Sequence, residues 1–155
     1  MNIDEINDHF EIERLMTKYV EAIDNKDWNM LDEVFTEGAF LDYESSGGPD
    51  GKGDYPTIKK WLQKNLSIFP MTQHMIGKSF IEYHGDSAKC RTMFHNPVGV
   101  PINADGFYDP KGENLHVFIV GGWYNDFCVK TDDGWRIEKK IEEQAYMQGS
   151  FPPLQ

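Results

Sequence analysis

The chain has 155 residues, a length that suits one domain with a substantial hydrophobic core. Its 15 basic and 26 acidic residues leave a net charge of -11, and the pI is near 4.8. That balance argues against nucleic acid or an anionic membrane surface as partner, because both are held by basic patches. No run of about 18 apolar residues occurs, and Met1-Asn2-Ile3-Asp4-Glu5 lacks the basic and apolar regions of a signal peptide, so a soluble, cytoplasmic protein is expected.

In chain order, Ile12, Leu15, Met16, Tyr19, Val20 and Ile23 recur at spacings of three and four between about Asn7 and Asn25, with charged residues between them. This spacing predicts an amphipathic helix with one buried stripe, and Asp24 lies at the edge of that stripe as the helix ends. Asp27 is suited to cap a second short helix carrying Trp28, Leu31, Val34 and Phe35, stopped by Gly38. Ala39 to Glu44 reads as a short strand with Tyr43 near its end, and Ser45 to Asp54 as a mobile loop. Asp54 then caps a third helix with Pro56 in its first turn and Ile58, Trp61, Leu62 and Leu66 on its inner face.

After Pro70 the period changes to two. Thr72 to Tyr83, the turn at His84-Gly85-Asp86, and Ser87 to Asn96 predict one antiparallel hairpin. Pro97 to Asn114 reads as a long excursion. Leu115 to Thr131 and Trp135 to Met147 read as two long strands joined at Asp132-Asp133-Gly134. Three helices followed by long antiparallel strands imply a single α+β domain over residues 1–155, a curved sheet wrapped around the helices with an apolar cavity at one end.

The chemistry-bearing residues are few. Cys90 and Cys128 fall on different strands and read as two small buried hydrophobes, although a disulfide is possible on paper. The five histidines show no metal-ligand spacing, so neither metal nor cofactor is expected. His74, in Thr72-Gln73-His74-Met75-Ile76-Gly77, opens an apolar strand. If it faces inward, its natural partner is Asp24: a carboxylate holding one imidazole nitrogen leaves the other free to take a proton. Otherwise His74 is a core histidine satisfied by a backbone carbonyl, and Asp24 a helix-ending residue. Glu138, Glu142 and Glu143 read as a solvated strand face.

Three stretches, Asp24-Asn25-Lys26-Asp27-Trp28, Leu41-Asp42-Tyr43 and Thr72 to Gly77, together with Asp133-Gly134-Trp135, resemble the SnoaL-like branch of the nuclear-transport-factor-2-like superfamily, close to scytalone dehydratase. The resemblance implies a cone-shaped fold and a cofactor-independent lyase or isomerase, dehydratase- or cyclase-like, acting on a hydrophobic cyclic or polyketide-like molecule. It also implies roles: His74 as base, Asp24 as its orienting acid, and Tyr43 holding a water or protonating a leaving oxygen. Asn96 stands where scytalone dehydratase has a second histidine, and it can hydrogen-bond an oxygen but cannot shuttle a proton near neutrality.

Tyr19, Trp28, Trp61, Phe94, His95, Trp123 and Tyr124 are the expected substrate-contacting residues. Five residues turn a helix by about 500°, so Tyr19 and Asp24 do not share one line along it. His95 points away from Asn96 unless a bulge rotates it. Two other readings remain open: a noncatalytic binding or assembly module, or a ketosteroid-isomerase-like enzyme using Asp24 alone as base. Val117, Ile119 and Phe127 on the outer sheet face suggest a homo-oligomer, dimer or trimer.

Overall fold

A computed structural model describes all residues, Met1 to Gln155. Helix α1 (Ile3–Asn25) begins with a capping box, in which Asn2 and Glu5 satisfy each other's backbone N–H, and ends at Lys26, whose φ of 54° turns the chain out of the helix. Its apolar stripe is buried from Ile12 to Ile23. No helix is long and apolar enough to cross a membrane.

The segment after α1 differs from the expected second helix. Only a single 3-10 turn, Met30–Glu33, forms, its entry held by the Asp27 carboxylate accepting from the Met30 amide at 3.2 Å. Strand β1 (Phe35–Asp42) then starts earlier than the sequence suggested. Gly38 does not stop a helix; it lies where the register of β1 against its neighbour shifts, between Phe35 and Phe40.

The glycine-rich stretch also packs. It forms a short helix α2 (Glu44–Gly47), a 3-10 turn (Pro49–Gly51) and strand β2 (Lys52–Asp54) before helix α3 (Tyr55–Leu66). The glycines permit this, because a Cβ on Gly47 would stand 2.3 Å from the Trp61 indole and one on Gly51 3.0 Å from it. The Ser45 hydroxyl accepts from the Gln144 amide and donates to the Glu142 carbonyl, fastening α2 to the last strand. Asp54 caps α3 through the Thr57 amide, and Pro56 occupies its first turn.

The remaining strands are β3 (Met71–Thr72), β4 (Met75–Ile76), β5 (Phe80–His84), β6 (Ser87–Ile102), β7 (Asn114–Thr131) and β8 (Gly134–Gln148). They pair in the order β2-β1-β8-β7-β6-β3, with β4 and β5 also lying along β6, and the sheet does not close. The sheet is mixed, since β1 runs parallel to β8 while the other pairings are antiparallel.

Strand β6 runs straight through Pro97 and Pro101 where the sequence suggested an excursion. The Pro97 carbonyl accepts from Gln73 in the break between β3 and β4, so the missing Pro97 N–H also faces that break and costs the ladder nothing there. Pro101 likewise turns its carbonyl to Asp109, beyond the end of β3.

Along β6 and β7 the even-numbered residues from Ala88 to Val98 and from Phe118 to Cys128 point to the helix side. There Ala88, Cys90, Phe94, Tyr124 and Cys128 join the apolar stripes of α1 and α3 in one large core, while Val98 and Phe118 form a smaller cluster with Val100. Register shifts between β7 and β8 at Phe127/Cys128 and Gly121/Gly122 each add one residue to β8. Such bulges bend a sheet, and each also reverses which parity of β8 faces inward. Trp135 and Ile137 are inside, then Lys140, Glu142 and Gln144, then Met147.

Candidate active site

Asp24 sits in the last turn of α1, where the negative end of the helix disfavours a carboxylate. Three donors compensate. The His74 ring nitrogen Nδ1 lies 2.6 Å from Oδ1, the Thr72 hydroxyl donates to the same oxygen at 2.9 Å, and the His74 backbone N–H donates to Oδ2 at 2.8 Å. Burial alone works to raise the Asp24 carboxyl, but the hydrogen bonds and charge of His74 and the Thr72 hydroxyl hold it below its usual range. An ionised carboxylate only accepts, so Nδ1 carries a hydrogen, and it is the neutral form of the ring that presents a lone pair on Nε2. No protein group bonds Nε2, and His74 lines the main cavity with its side chain 6% exposed. The break between β3 and β4 makes this possible, because Gln73 and His74 leave the ladder and free the His74 amide for Asp24.

The cavity has a volume of about 360 Å³, and 15 of its 23 lining residues are hydrophobic, a composition that suits an apolar small molecule. Tyr43 and Tyr19 both line it, joined by a 2.8 Å hydrogen bond between their hydroxyls. Tyr124 completes a buried group of three phenols, and burial pushes all three well above their ordinary range, so each stays protonated as a donor. Asn96 also reaches the cavity. Its Oδ1 accepts from the Gln73 amide at 3.2 Å, which leaves its side-chain N–H groups without a protein partner. Trp61 stacks on Tyr43 at 6.1 Å, and Phe94 stacks on Tyr124 at 4.4 Å.

Three of the expected substrate-contacting residues lie elsewhere. Trp28 packs against the core at the corner after α1 and does not line the cavity. His95 and Trp123 are odd-numbered on β6 and β7 and therefore lie on the outer sheet face, where His95 bonds the Tyr146 hydroxyl at 2.7 Å and Trp123 lies 4.4 Å beneath the Arg91 guanidinium. No bulge precedes Pro97 to rotate His95 inward, since β6 and β7 keep an unbroken register. Cys90 and Cys128 are buried free thiols with sulfurs 3.9 Å apart. No three His, Cys, Asp or Glu side chains are grouped as metal ligands.

Two features were missed by the sequence reading. Glu142, expected on a solvated face, lines the cavity, and desolvation raises its carboxyl against the opposing hydrogen bond from Ser46. The bulge at Glu138 is the reason, because it shifts Glu142 onto the inner face. Beneath the phenols lies an ion pair with no solvent exposure, Lys140 Nζ to Asp126 at 2.9 Å. The Lys140 ammonium stands 4.0 Å from the Tyr19 ring centre and 4.1 Å from that of Tyr124, a double cation–π contact. The even spacing of Asp126 with Tyr124 and Cys128 was the available signal for the acid.

Residues 4–140 match the model of a SnoaL-like domain. The uncharacterized protein Rv2910c of Mycobacterium tuberculosis is 36% identical over 148 residues, which span 96% of this chain and 92% of that protein. A candidate scytalone dehydratase from Novosphingobium aromaticivorans superposes with a TM-score of 0.77 at 18% identity, over 99% of this chain and 97% of that one. A nuclear transport factor 2-like superfamily protein from Salmonella enterica gives a TM-score of 0.72 at 16% identity, over 94% of this chain and 96% of the other. At such identities the two solved structures establish a shared α+β cone.

Proposed function

Since this chain belongs to the SnoaL-like domain family, we propose that it is a cofactor-independent lyase or isomerase that abstracts a proton from a hydrophobic, cyclic or polyketide-like small molecule. The observation that carries this reading is the 2.6 Å contact between Asp24 and His74 Nδ1, with Nε2 left free at the wall of an apolar cavity. In this mechanism Nε2 takes a proton from a carbon acidified by a neighbouring carbonyl or leaving group, and Asp24 stabilises the imidazolium that forms. The hydroxyl of the linked Tyr43–Tyr19 pair that is not spent on the other, and the amide of Asn96, donate to the oxygen on which negative charge develops, an interaction worth most where water is excluded. Self-association as a dimer or trimer through the outer sheet face belongs to the same reading.

A base acting by Asp24 alone has less support. Both of its oxygens are already occupied, its carboxyl is held low, and it does not line the cavity. A direct test uses a nitrobenzisoxazole, whose ring opens to a coloured phenolate once its single acidic C–H is removed. His74→Gln should lower kcat/KM by roughly 10²–10⁴-fold while the circular dichroism spectrum stays unchanged. Undiminished turnover by that variant would dismiss His74 as the base, and ligand binding without any turnover by the native protein would favour a binding module.

A further inference from the structure

The base side of the cavity is furnished, but a lyase that expels a poor leaving group also needs an acid; Asn96 cannot supply a proton, and burial holds the phenols of Tyr19, Tyr43 and Tyr124 well above their ordinary range, so they donate hydrogen bonds but give up a proton reluctantly. We propose that Glu142 is a second catalytic residue, the acid that protonates the departing oxygen; this rests on the reading of His74 as base. Glu142 is the one carboxyl among the lining residues. Its Oε1 accepts from the Ser46 hydroxyl on α2, and Oε2 has no protein partner, so a proton on Oε2 is available to a ligand.

The placement relative to the base follows from the sheet. His74 lies at the β6 edge with its ring 6.2 Å from both Phe94 and Tyr124, and Glu142 pairs with Tyr124 from the β8 side. Base and acid therefore approach the cavity from opposite sides of the stacked Phe94–Tyr124 pair. A ligand held between them would present a C–H toward β6 and an oxygen substituent toward β8.

The titratable and charged groups around Glu142 leave its carboxyl raised above the ordinary range. They are Tyr19 from α1, Tyr43 before α2, Tyr124 and Asp126 from β7, Lys140 from β8, and His74. The three phenols carry no charge, Lys140 is engaged by Asp126, and desolvation outweighs the attraction of His74 and Lys140. In the step itself, Nε2 of His74 takes the proton from carbon, the C–H electron pair becomes the new C=C bond, and the C–O bond breaks with its pair on oxygen. That oxygen takes the Glu142 proton and leaves as an alcohol or water. The imidazolium then returns its proton to the Glu142 carboxylate through water in the emptied cavity, so no other reactant is consumed.

Two cyclohexanones, one bearing a β-methoxy group and the other a β-nitrophenoxy group, separate the two roles. Both yield the same enone, but only the methoxy compound needs its leaving oxygen protonated. Glu142→Gln should lower kcat/KM on the methoxy ketone by about 10²-fold and on the nitrophenoxy ketone by less than about threefold, whereas His74→Gln should depress both. Equal losses on the two ketones with Glu142→Gln, or no loss on the methoxy compound, would overturn the assignment of the acid. Insensitivity of both to His74→Gln would instead overturn the base and leave the leaving-group test of Glu142 standing. Independently of turnover, the infrared spectrum should hold a protonated-carboxyl band at neutral pH that vanishes in Glu142→Gln, and a native spectrum without that band would refute the proposal.

Discussion

Replacing Asp24 by Asn should disable the base while leaving the fold intact. Asp24 accepts three hydrogen bonds, at 2.6, 2.8 and 2.9 Å, and an amide can accept on only one of its two terminal atoms. If the Asn oxygen keeps the His74 backbone N–H, its NH2 group faces the imidazole, which must then present Nδ1 as acceptor and carry its hydrogen on Nε2, where the base is needed. If the amide flips, its NH2 opposes the His74 N–H, and that unmet donor costs about 1–3 kcal/mol. Either way the imidazolium also loses a charged hydrogen bond of about 1.5–3 kcal/mol. Together these amount to roughly 10²–10⁴-fold in rate. Stability should fall by less, because removing a negative charge from the last turn of α1 returns about 0.3–1 kcal/mol. The assays are kcat/KM on the nitrobenzisoxazole and the ¹⁵N shifts of the His74 ring, which report its tautomer. An Asp24→Asn protein that keeps more than about a tenth of native activity with Nδ1 still protonated would refute the reasoning.

Acid stability provides a second check. The folded Asp24 carboxyl lies below its ordinary 3.8, so its contribution is present above that value and disappears as pH falls through the lowered one; Asp24→Asn should flatten this part of the urea midpoint against pH. Glu142 has the opposite sign. Its carboxyl is raised above 4.5, so the folded state binds the extra proton and stability falls as pH climbs from 4.5 through the raised value, and Glu142→Gln should raise Tm in alkaline buffer but not at acid pH. Lys140→Met should cost about 3–5 kcal/mol in urea unfolding by leaving the Asp126 carboxyl buried without its partner, and an added Asp126→Leu should recover most of that loss. Gly47→Ala would set a methyl 2.3 Å from the Trp61 ring, displace the indole from Tyr43, and so shift tryptophan fluorescence and weaken ligand binding without abolishing proton abstraction.

Local periodicity made α1, the cap of α3, the β5–β6 turn and the long final strands readable, because each is specified by residues a few positions apart. The Asp24–His74 pairing was inferable only from the two motifs together, since 50 positions separate residues that only tertiary structure brings into contact. What escaped the reading depended on neighbours not adjacent in sequence. Pro97 looked like a strand breaker, yet it faces a gap in the opposing edge where no donor is required. The segment from Ser45 to Asp54 looked unable to pack because glycine has no side chain, whereas here that lack admits the Trp61 indole. Glu142 was placed on the wrong side because alternation was carried unbroken through β8, and the inserted residue at Glu138 that reverses it has no local signature.

That reversal has a practical corollary for altering selectivity. Excising Glu138 would rotate the following stretch of β8 by one position, sending Lys140, Glu142 and Gln144 outward and turning Lys139, Ile141 and Glu143 inward. A single-codon length change in this strand would exchange the polar furniture of one whole wall at once, an alteration that no stepwise series of point replacements makes so abruptly. The chamber's chemistry is thus encoded partly in how many residues β8 contains as well as in which ones they are.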